Sequence, residues 1–192
     1  MLIKIPKRFE NATFENYKCF SEEQKKLVSL LESVTPDTLT HNVIILGNCG
    51  VGKTHLCYSF IKKHSEEFKT DWFVGLQTKG IEYHTVKQII DLIRSCWSKN
   101  ADKWDHEVIE NIKKAKILII DEVGVQYGSD SERNELYEIF NYRYENELPT
   151  IVCSNNKLEE IRDEYLGKRI FDRLQGGAAI FEFRGKSMRG AA

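Results

Sequence analysis

The chain has 192 residues, 41% of them hydrophobic and 11% aromatic, which is enough for one domain with a real core and excludes global disorder. Lysine and arginine (28) nearly balance aspartate and glutamate (29), so the net charge is -1 and a general basic coat for nucleic acid is excluded. Apolar runs are only a few residues long, whereas a membrane-spanning helix needs about 18 or more. We therefore expect a soluble, cytoplasmic protein without a membrane segment.

Short apolar strands alternate with helices along most of the chain. Residues 1–20 form a lead-in, and the capping-box spacing from Ser21 to Gln24 starts a helix that Pro36 ends. A second capping box, from Ser129 to Glu132, starts a later helix. The predicted strands are Asn42–Leu46, Trp72–Leu76, Lys116–Ile120, Thr150–Ser154 and Ala178–Phe183. The predicted helices after the first cover 53–68, 85–97, 104–115, 131–147, 158–165 and 168–174. This alternation indicates an α/β layered fold with a parallel sheet.

A glycine-rich loop between the first predicted strand and the next helix matches the pattern G-x-x-x-x-G-K-[ST]. Glycines let backbone N–H groups turn inward around phosphates, and the helix N-terminus favours negative charge. Lys53 can reach the β- and γ-phosphates, and the Thr54 hydroxyl can hold Mg²⁺. A chance glycine-rich turn is the alternative, which the flanking strand and helix make improbable. The predicted nucleotide-binding residues here are Gly47, Asn48, Cys49, Gly50, Val51, Gly52, Lys53, Thr54 and His55.

Two acidic residues follow the apolar run Ile117–Ile120, at the carboxyl end of a predicted buried strand. Ligands of open α/β sheets bind at this edge. Asp121 can hold the Mg²⁺ shell, and Glu122 can polarise an attacking water. A solvated acidic turn is the alternative, but the pairing with the phosphate loop argues against it. The doublet also favours hydrolysis of a nucleoside triphosphate over small-molecule kinase chemistry, in which the acceptor needs a pocket.

The strand Thr150–Ser154 also ends in polar residues, Asn155 and Asn156. An amide at this edge could hydrogen-bond both the γ-phosphate and the attacking water. Read without context, the same residues are typical of a turn. Both interpretations stay open from these residues alone.

Together, GNCGVGKT, ILIIDEVG and TIVCSNN resemble the corresponding segments of AAA+ ATPases. Three further stretches resemble the bacterial replicative helicase loaders of the DnaC/DnaI group and the related IstB-like proteins. These stretches are IPKRFENATFENY, IDEVGVQYGSDSE, and GKRIFDRL with FRGKSMRG. The resemblance implies an AAA+ P-loop fold with three layers, a five-stranded parallel sheet in the order 5-1-4-3-2, and a reduced C-terminal lid. Residues 1–40 would be the lead-in and first helix, and 41–192 the ATPase core of a single domain.

Three residue roles follow from the resemblance. Asn155 matches the sensor-1 residue, which we count with Glu122 and Arg173 as catalytic. Arg173 matches the arginine finger that is offered to a neighbouring subunit's ATP, and Arg189 matches the sensor-2 arginine that contacts the γ-phosphate within the same chain.

A predicted helical pair between the second and third strands resembles the single-strand-binding segment of initiator-type ATPases. Arg94, Trp97 and Lys99 combine cations with an aromatic ring that could stack on a base, although a core role for Trp97 is equally compatible with the sequence. Gln126 and Tyr127, just beyond the acidic doublet, resemble a second DNA-facing loop.

The resemblance implies a cytoplasmic ATPase that binds ATP and Mg²⁺, self-assembles head to tail into an oligomer or filament, and engages single-stranded DNA and a DnaB-type replicative helicase. Hydrolysis would be slow and stimulated by assembly or by single-stranded DNA. An IstB-like transposition helper is the alternative from the same class. A small-molecule or nucleotide kinase and a nucleotide-gated adaptor are alternatives from other classes.

Overall fold

The computed structural model describes residues 2–70, 73–78, 80–96, 103–125, 129–183 and 187. Its strands are β1 (Leu2–Lys4), β2 (Val43–Gly47), β3 (Ser65–Thr70), β4 (Phe73–Thr78), β5 (Ile81–Thr85), β6 (Ile117–Val123), β7 (Thr150–Ser154) and β8 (Ala179–Phe183). Its α-helices are α1 (Glu22–Ser33), α2 (Lys53–Lys63), α3 (Val86–Cys96), α4 (Lys103–Lys114), α5 (Asp130–Glu145), α6 (Leu158–Glu160) and α7 (Lys168–Gln175). A 3₁₀ turn at Lys7–Phe9 and a π-helical segment at Ile161–Leu166 complete the order. Among these described residues, no helix is long and apolar enough to cross a membrane.

A five-stranded parallel sheet in the order β5-β6-β7-β2-β8 forms the centre of the fold. Successive side chains of a strand point to opposite faces, so β2 contributes Val43 and Ile45 to one buried cluster and Ile44 and Leu46 to the other. The lead-in, α1 and α2 cover the first face, and α3, α4, α5 and α7 cover the second. The predicted three-layer α/β arrangement is therefore confirmed.

The predicted second strand was wrong in position. Residues 73–76 of that segment belong to β4 (Phe73–Thr78), which pairs antiparallel with β1 and β3 in a separate three-stranded sheet. The strand beside β6 is β5, where Glu82 and His84 interrupt the apolar pattern. Glu82 is only 4% exposed, and its Oε2 lies 3.1 Å from Nε2 of His84. This local pairing lets a polar sequence occupy an edge strand, so the order of the sheet holds with Ile81–Thr85 in the second position.

The helix predicted for residues 53–68 ends at Lys63, as α2. The residues after it join β3, which pairs antiparallel with β4 from Ser65 to Thr70. Hairpin pairing overrides the helical spacing of the apolar residues, because the backbone groups of the segment that face β4 gain partners across the ladder. By contrast, the capping boxes at Ser21 and Ser129 are confirmed, each with reciprocal bonds between the N-cap residue and the third helical residue.

Candidate functional site

The loop between β2 and α2 requires glycine at its first position. Gly47 has φ of +148°, and a Cβ there would lie 2.6 Å from the carbonyl oxygen of Phe183 on β8. The loop ends at Gly52, the N-cap of α2, in the left-handed conformation with φ of 95°. These conformations turn the chain back over the start of α2, so Lys53 opens the helix at the carboxyl edge of the sheet.

Lys53 lies at the centre of this loop and is only 6% exposed. Its Nζ donates hydrogen bonds to the carbonyl oxygens of Gly47 (2.6 Å) and Asn48 (3.1 Å) and to Oδ1 of Asn155 (2.7 Å). Burial lowers the pKa of the ammonium group, because desolvation disfavours the charged form. Lys53 is therefore a desolvated cation, for which a phosphate would be a better partner than the amide and carbonyl oxygens.

Asp121 is 3% exposed and receives three hydrogen bonds. Its Oδ2 accepts from the hydroxyls of Thr54 (2.7 Å) and Tyr83 (3.0 Å), and its Oδ1 accepts from the backbone N–H of Glu122 (2.8 Å). Thr54 and Asp121 thus place a hydroxyl and a carboxylate oxygen together beside the phosphate loop. Mg²⁺ prefers such hard oxygen ligands and takes one or two from the protein, with phosphates and waters completing its shell. The residues present fit a magnesium ion.

Glu122 occupies a bulge in β6. Ile120 pairs with Val152 and Val123 with Ser154, so β6 has one residue more than β7 between these pairs. Glu122 is exposed and has φ of +59°, a left-handed conformation that is costly for a residue other than glycine. The bulge directs the glutamate out of the ladder and into the cavity that Lys53 and Asp121 also line.

A cavity of about 330 Å³ joins these groups. It is lined by the glycine-rich loop, by Asp121, Glu122 and Asn155, and by residues of the lead-in. The sequence reasoning assigned no role to this last group, although the stretch that contains it contributed to the family resemblance. The lead-in residues are Arg8, Phe9, Asn16, Tyr17 and Lys18.

The lead-in is attached to the phosphate loop by hydrogen bonds. The carbonyl oxygen of Val51 accepts from the hydroxyl of Tyr17 in the lead-in (3.0 Å) and also from Nε2 of Gln24 in α1 (3.3 Å). Nε2 of His55 lies 3.0 Å from the carbonyl oxygen of Thr13. His55 therefore contacts the lead-in, and the predicted contact of His55 with nucleotide remains a prediction.

Arg173 lies on α7, away from this cavity. A second cavity, of about 620 Å³, places it with Asn42 and Thr150 at the amino ends of β2 and β7. Its guanidinium donates to Asn141 Oδ1 (2.9 Å), the Tyr137 hydroxyl (2.8 Å) and the carbonyl oxygen of Arg169 (2.9 Å). The glycine-rich loop between β2 and α2 thus lies at the carboxyl edge of the parallel sheet, and Arg173 lies at the opposite, amino edge.

The proposed DNA-contacting residues are only partly described. Arg94 pairs with two buried glutamates of α5, at 3.7 Å from Glu132 and 3.4 Å from Glu135. Its side chain is still 47% exposed, so part of the guanidinium faces solvent. Trp97, Lys99, Gln126, Tyr127 and Arg189 lie outside the described residues.

The chain matches the model of the family described as IstB-like ATP binding protein over residues 1–192. The replicative helicase loader DnaC of Escherichia coli (strain K12) is 25% identical over 174 residues, which are 90% of this chain and 66% of that protein. A protein of insertion sequence IS5376 from Geobacillus stearothermophilus, named for ATP binding, is 27% identical over 192 residues, 98% of this chain and 70% of the relative.

Among solved structures, a crystal structure of the DnaC helicase loader superposes with a TM-score of 0.74 at 19% identity, covering 93% of this chain and 100% of that one. This structural similarity confirms the predicted fold class, because similarity at 19% identity shows the fold alone. The chain spans about two thirds of the length of the DnaC proteins that it resembles.

Proposed function

The chain belongs to the IstB-like ATP-binding protein family, and we propose that it is a magnesium-dependent ATPase of the helicase-loader type. One observation carries the proposal. Lys53, the Thr54–Asp121 pair and Glu122 meet at a single cavity at the carboxyl edge of the parallel sheet. A phosphate-binding cation, a magnesium-holding carboxylate and a second, exposed carboxylate are the groups that hydrolysis of a nucleoside triphosphate requires.

The residues divide the chemistry as follows. Lys53 and the N–H groups of the loop bind the β- and γ-phosphates, and its bonds to carbonyl oxygens give way to phosphate oxygens. Thr54 and Asp121 hold Mg²⁺, which supplies charge neutralisation at the phosphates when it is bound. Glu122 accepts a proton from the attacking water. Asn155 is bonded to Lys53 (2.7 Å), so it is within reach of the γ-phosphate that Lys53 contacts.

Arg173 acts on the nucleotide of a neighbouring subunit. Support comes from its place at the amino edge of the sheet, opposite its own phosphate loop. Its guanidinium is held by Tyr137, Asn141 and the Arg169 carbonyl, which uses three of its five N–H groups within the described residues. Two N–H groups remain for an anion. A head-to-tail assembly brings the carboxyl edge of one copy against the amino edge of the next, where ATP completes the interface.

Single-stranded DNA and a replicative helicase are the proposed partners. The E. coli relative is named a replicative helicase loader. A charge of -1 disfavours non-specific duplex binding, so DNA affinity must come from a local site. Arg94 supplies a half-exposed cation on the segment that resembles the DNA-binding helix of initiators.

The insertion-sequence relative favours a second candidate of the same class, a transposition helper that uses the same ATP site. Binding to a transposase or a preference for duplex DNA would select it. A kinase would instead transfer the phosphoryl group to an acceptor and would not respond to single strands.

The test is the rate of ATP hydrolysis by the full chain with and without single-stranded DNA. We expect slow basal release of phosphate that single strands stimulate. Glu122→Gln should bind ATP as the parent does and lose about 100-fold in turnover, because an amide cannot accept the proton from water. Parental turnover in this variant would show that Glu122 is not the catalytic base, and phosphate transfer to an acceptor would replace the ATPase by a kinase.

Trp97→Ala tests the DNA part of the proposal. Loss of a base-stacking ring should weaken single-strand binding about tenfold, with ATP binding unchanged. If the variant binds DNA as before but loses thermal stability, Trp97 belongs to the core, and Gln126 and Tyr127 become the residues to test.

A further inference from the structure

Tyr83 reaches the proposed magnesium-holding carboxylate from the neighbouring strand. It lies on β5 opposite Ile119 of β6, and Asp121 is two residues further along that strand. The Tyr83 hydroxyl donates to Oδ2 of Asp121 at 3.0 Å. Tyr83 stands 38 residues before Asp121 and outside the three sequence segments that predict the site, so sequence reasoning did not identify it.

The carboxylate of Asp121 has three hydrogen-bond donors, and they differ in what they do when nucleotide is bound. Thr54 is itself a proposed magnesium ligand. The other donors are the Tyr83 hydroxyl on Oδ2 and the Glu122 N–H on Oδ1, one for each oxygen. A phenol is protonated at neutral pH and can only donate to a carboxylate. Tyr83 therefore restrains the orientation of the carboxylate independently of the metal.

The ring of Tyr83 is itself fixed by packing. It contacts the ring of Tyr58 on α2 at a centroid distance of 4.9 Å, and Tyr58 stacks on Phe9 at 5.1 Å with an interplanar angle of 18°. Tyr58 is 3% exposed, and Phe9 lines the nucleotide cavity. A column of three aromatic rings thus runs from the lead-in to Asp121 and limits the positions that the Tyr83 hydroxyl can take.

We propose that Tyr83 is a positioning residue that presents Asp121 to Mg²⁺, an inference that rests on the proposed ATPase function. Partners that orient a metal-holding group change metal affinity about 10- to 100-fold when they are removed. Within the described residues, the Tyr83 hydroxyl donates to Asp121 and not to the glycine-rich loop, so we expect its effect to fall on metal binding. The signature is a loss of magnesium affinity without a loss of metal-free nucleotide affinity.

The experiment uses Tyr83→Phe, which keeps the ring and removes only the hydroxyl. A fluorescent ATP analogue is titrated onto the full chain in EDTA and then at increasing Mg²⁺. We expect the Mg²⁺ concentration for half-maximal tightening to rise about tenfold, with metal-free affinity and the unfolding midpoint close to those of the parent. Tyr142→Phe on α5 is the matched control, because its hydroxyl makes no hydrogen bond within the described part of the chain, and it should leave both affinities unchanged.

Each outcome decides one point. If Mg²⁺ does not tighten nucleotide binding by the parent, the proposed magnesium-dependent ATPase is wrong. If Mg²⁺ tightens binding by the parent and by Tyr83→Phe equally, the function stands and the role of Tyr83 is overturned. An equal fall in metal-free and metal-bound affinity also overturns it, because that result describes a merely structural tyrosine.

Discussion

Two buried cations occupy opposite edges of the parallel sheet. Lys53, at the carboxyl edge, is 6% exposed, and Arg143, at the amino edge, is 1% exposed. Burial lowers the pKa of both groups. Arg143 donates to acceptors at the end of α4 and at the start of β7, namely Ile112 O, Lys113 O, Ala115 O, Pro149 O and Thr150 Oγ1. Lys53 instead bonds to two loop carbonyls and the Asn155 amide.

The two cations differ in the surroundings of the oxygen atoms that accept their hydrogen bonds. The carbonyls at the C-terminus of a helix have no partner within the helix, so Arg143 satisfies groups that would otherwise be buried and unpaired. The loop around Lys53 adjoins a cavity through which an anion can approach. Burial and charge alone therefore do not separate a structural cation from a ligand-binding one. The two kinds of cation differ in whether their acceptors would be left buried and unpaired without them.

The largest effect is expected for Lys53→Ala. Loss of the ammonium removes charge-assisted bonds to phosphate, each worth about 1.5–3 kcal/mol, so ATP affinity should fall about 100-fold or more. The free energy of unfolding without nucleotide should change by about 1 kcal/mol or less, since loop carbonyls near an open cavity can bond to water. Calorimetric titration and chemical unfolding measure the two quantities. A large loss of stability would make Lys53 a structural residue like Arg143.

Arg143→Met should give the opposite pattern. Five acceptors lose their donor, and the free energy of unfolding should fall by about 3 kcal/mol or more. At temperatures where the variant is folded, ATP affinity should match the parent. Arg143→Lys, with three donors instead of five, should lie between the two. Chemical unfolding of all three proteins checks the order, and equal stability of the parent and Arg143→Met would contradict it.

Substitution of two glycines, one near each edge of the sheet, extends the comparison, and we expect a smaller effect from each. Gly124, near the nucleotide site, has φ of 102°, and a Cβ there would lie 2.5 Å from Oδ1 of Asn156. Gly177, near Arg173, has φ of 72°, and no atom of the described residues lies within 4 Å of such a Cβ. Gly177→Ala should cost about 1 kcal/mol of stability from the backbone alone. Gly124→Ala should cost about 2 kcal/mol and weaken nucleotide binding, because Asn156 adjoins Asn155. Equal losses without an effect on nucleotide would contradict this account.

The sequence predicts those parts of the site whose functional residues lie close together in a local sequence pattern. The glycine-rich loop and the acidic doublet follow apolar strands directly, so their residue types and spacing fix their place. The strand Ile81–Thr85 was missed because the pairing of Glu82 with His84 is not visible in a hydropathy pattern. Contacts such as Tyr17 with Val51 and Tyr83 with Asp121 join residues 34 and 38 positions apart, and spacing alone does not predict them.

The contacts of Arg173 could not be predicted from spacing in the sequence either. The resemblance to AAA+ proteins named it, but its partners Tyr137 and Asn141 come from a helix 36 and 32 residues away. Only the fold shows that the guanidinium is fixed at the edge opposite its own nucleotide loop. We propose that these two edges complete one active site between neighbouring copies.

Mixing two inactive variants tests that claim most directly. Lys53→Ala lacks nucleotide but keeps Arg173, and Arg173→Ala binds nucleotide but lacks the finger, so neither should hydrolyse ATP alone. Arg162→Ala, which removes an exposed arginine paired with its neighbour Asp163, is the control and should be active. We expect mixtures of the first two variants to recover part of the parental rate, with a maximum at intermediate ratios. No recovery at any ratio, while both variants remain folded and Arg173→Ala binds ATP, would contradict it.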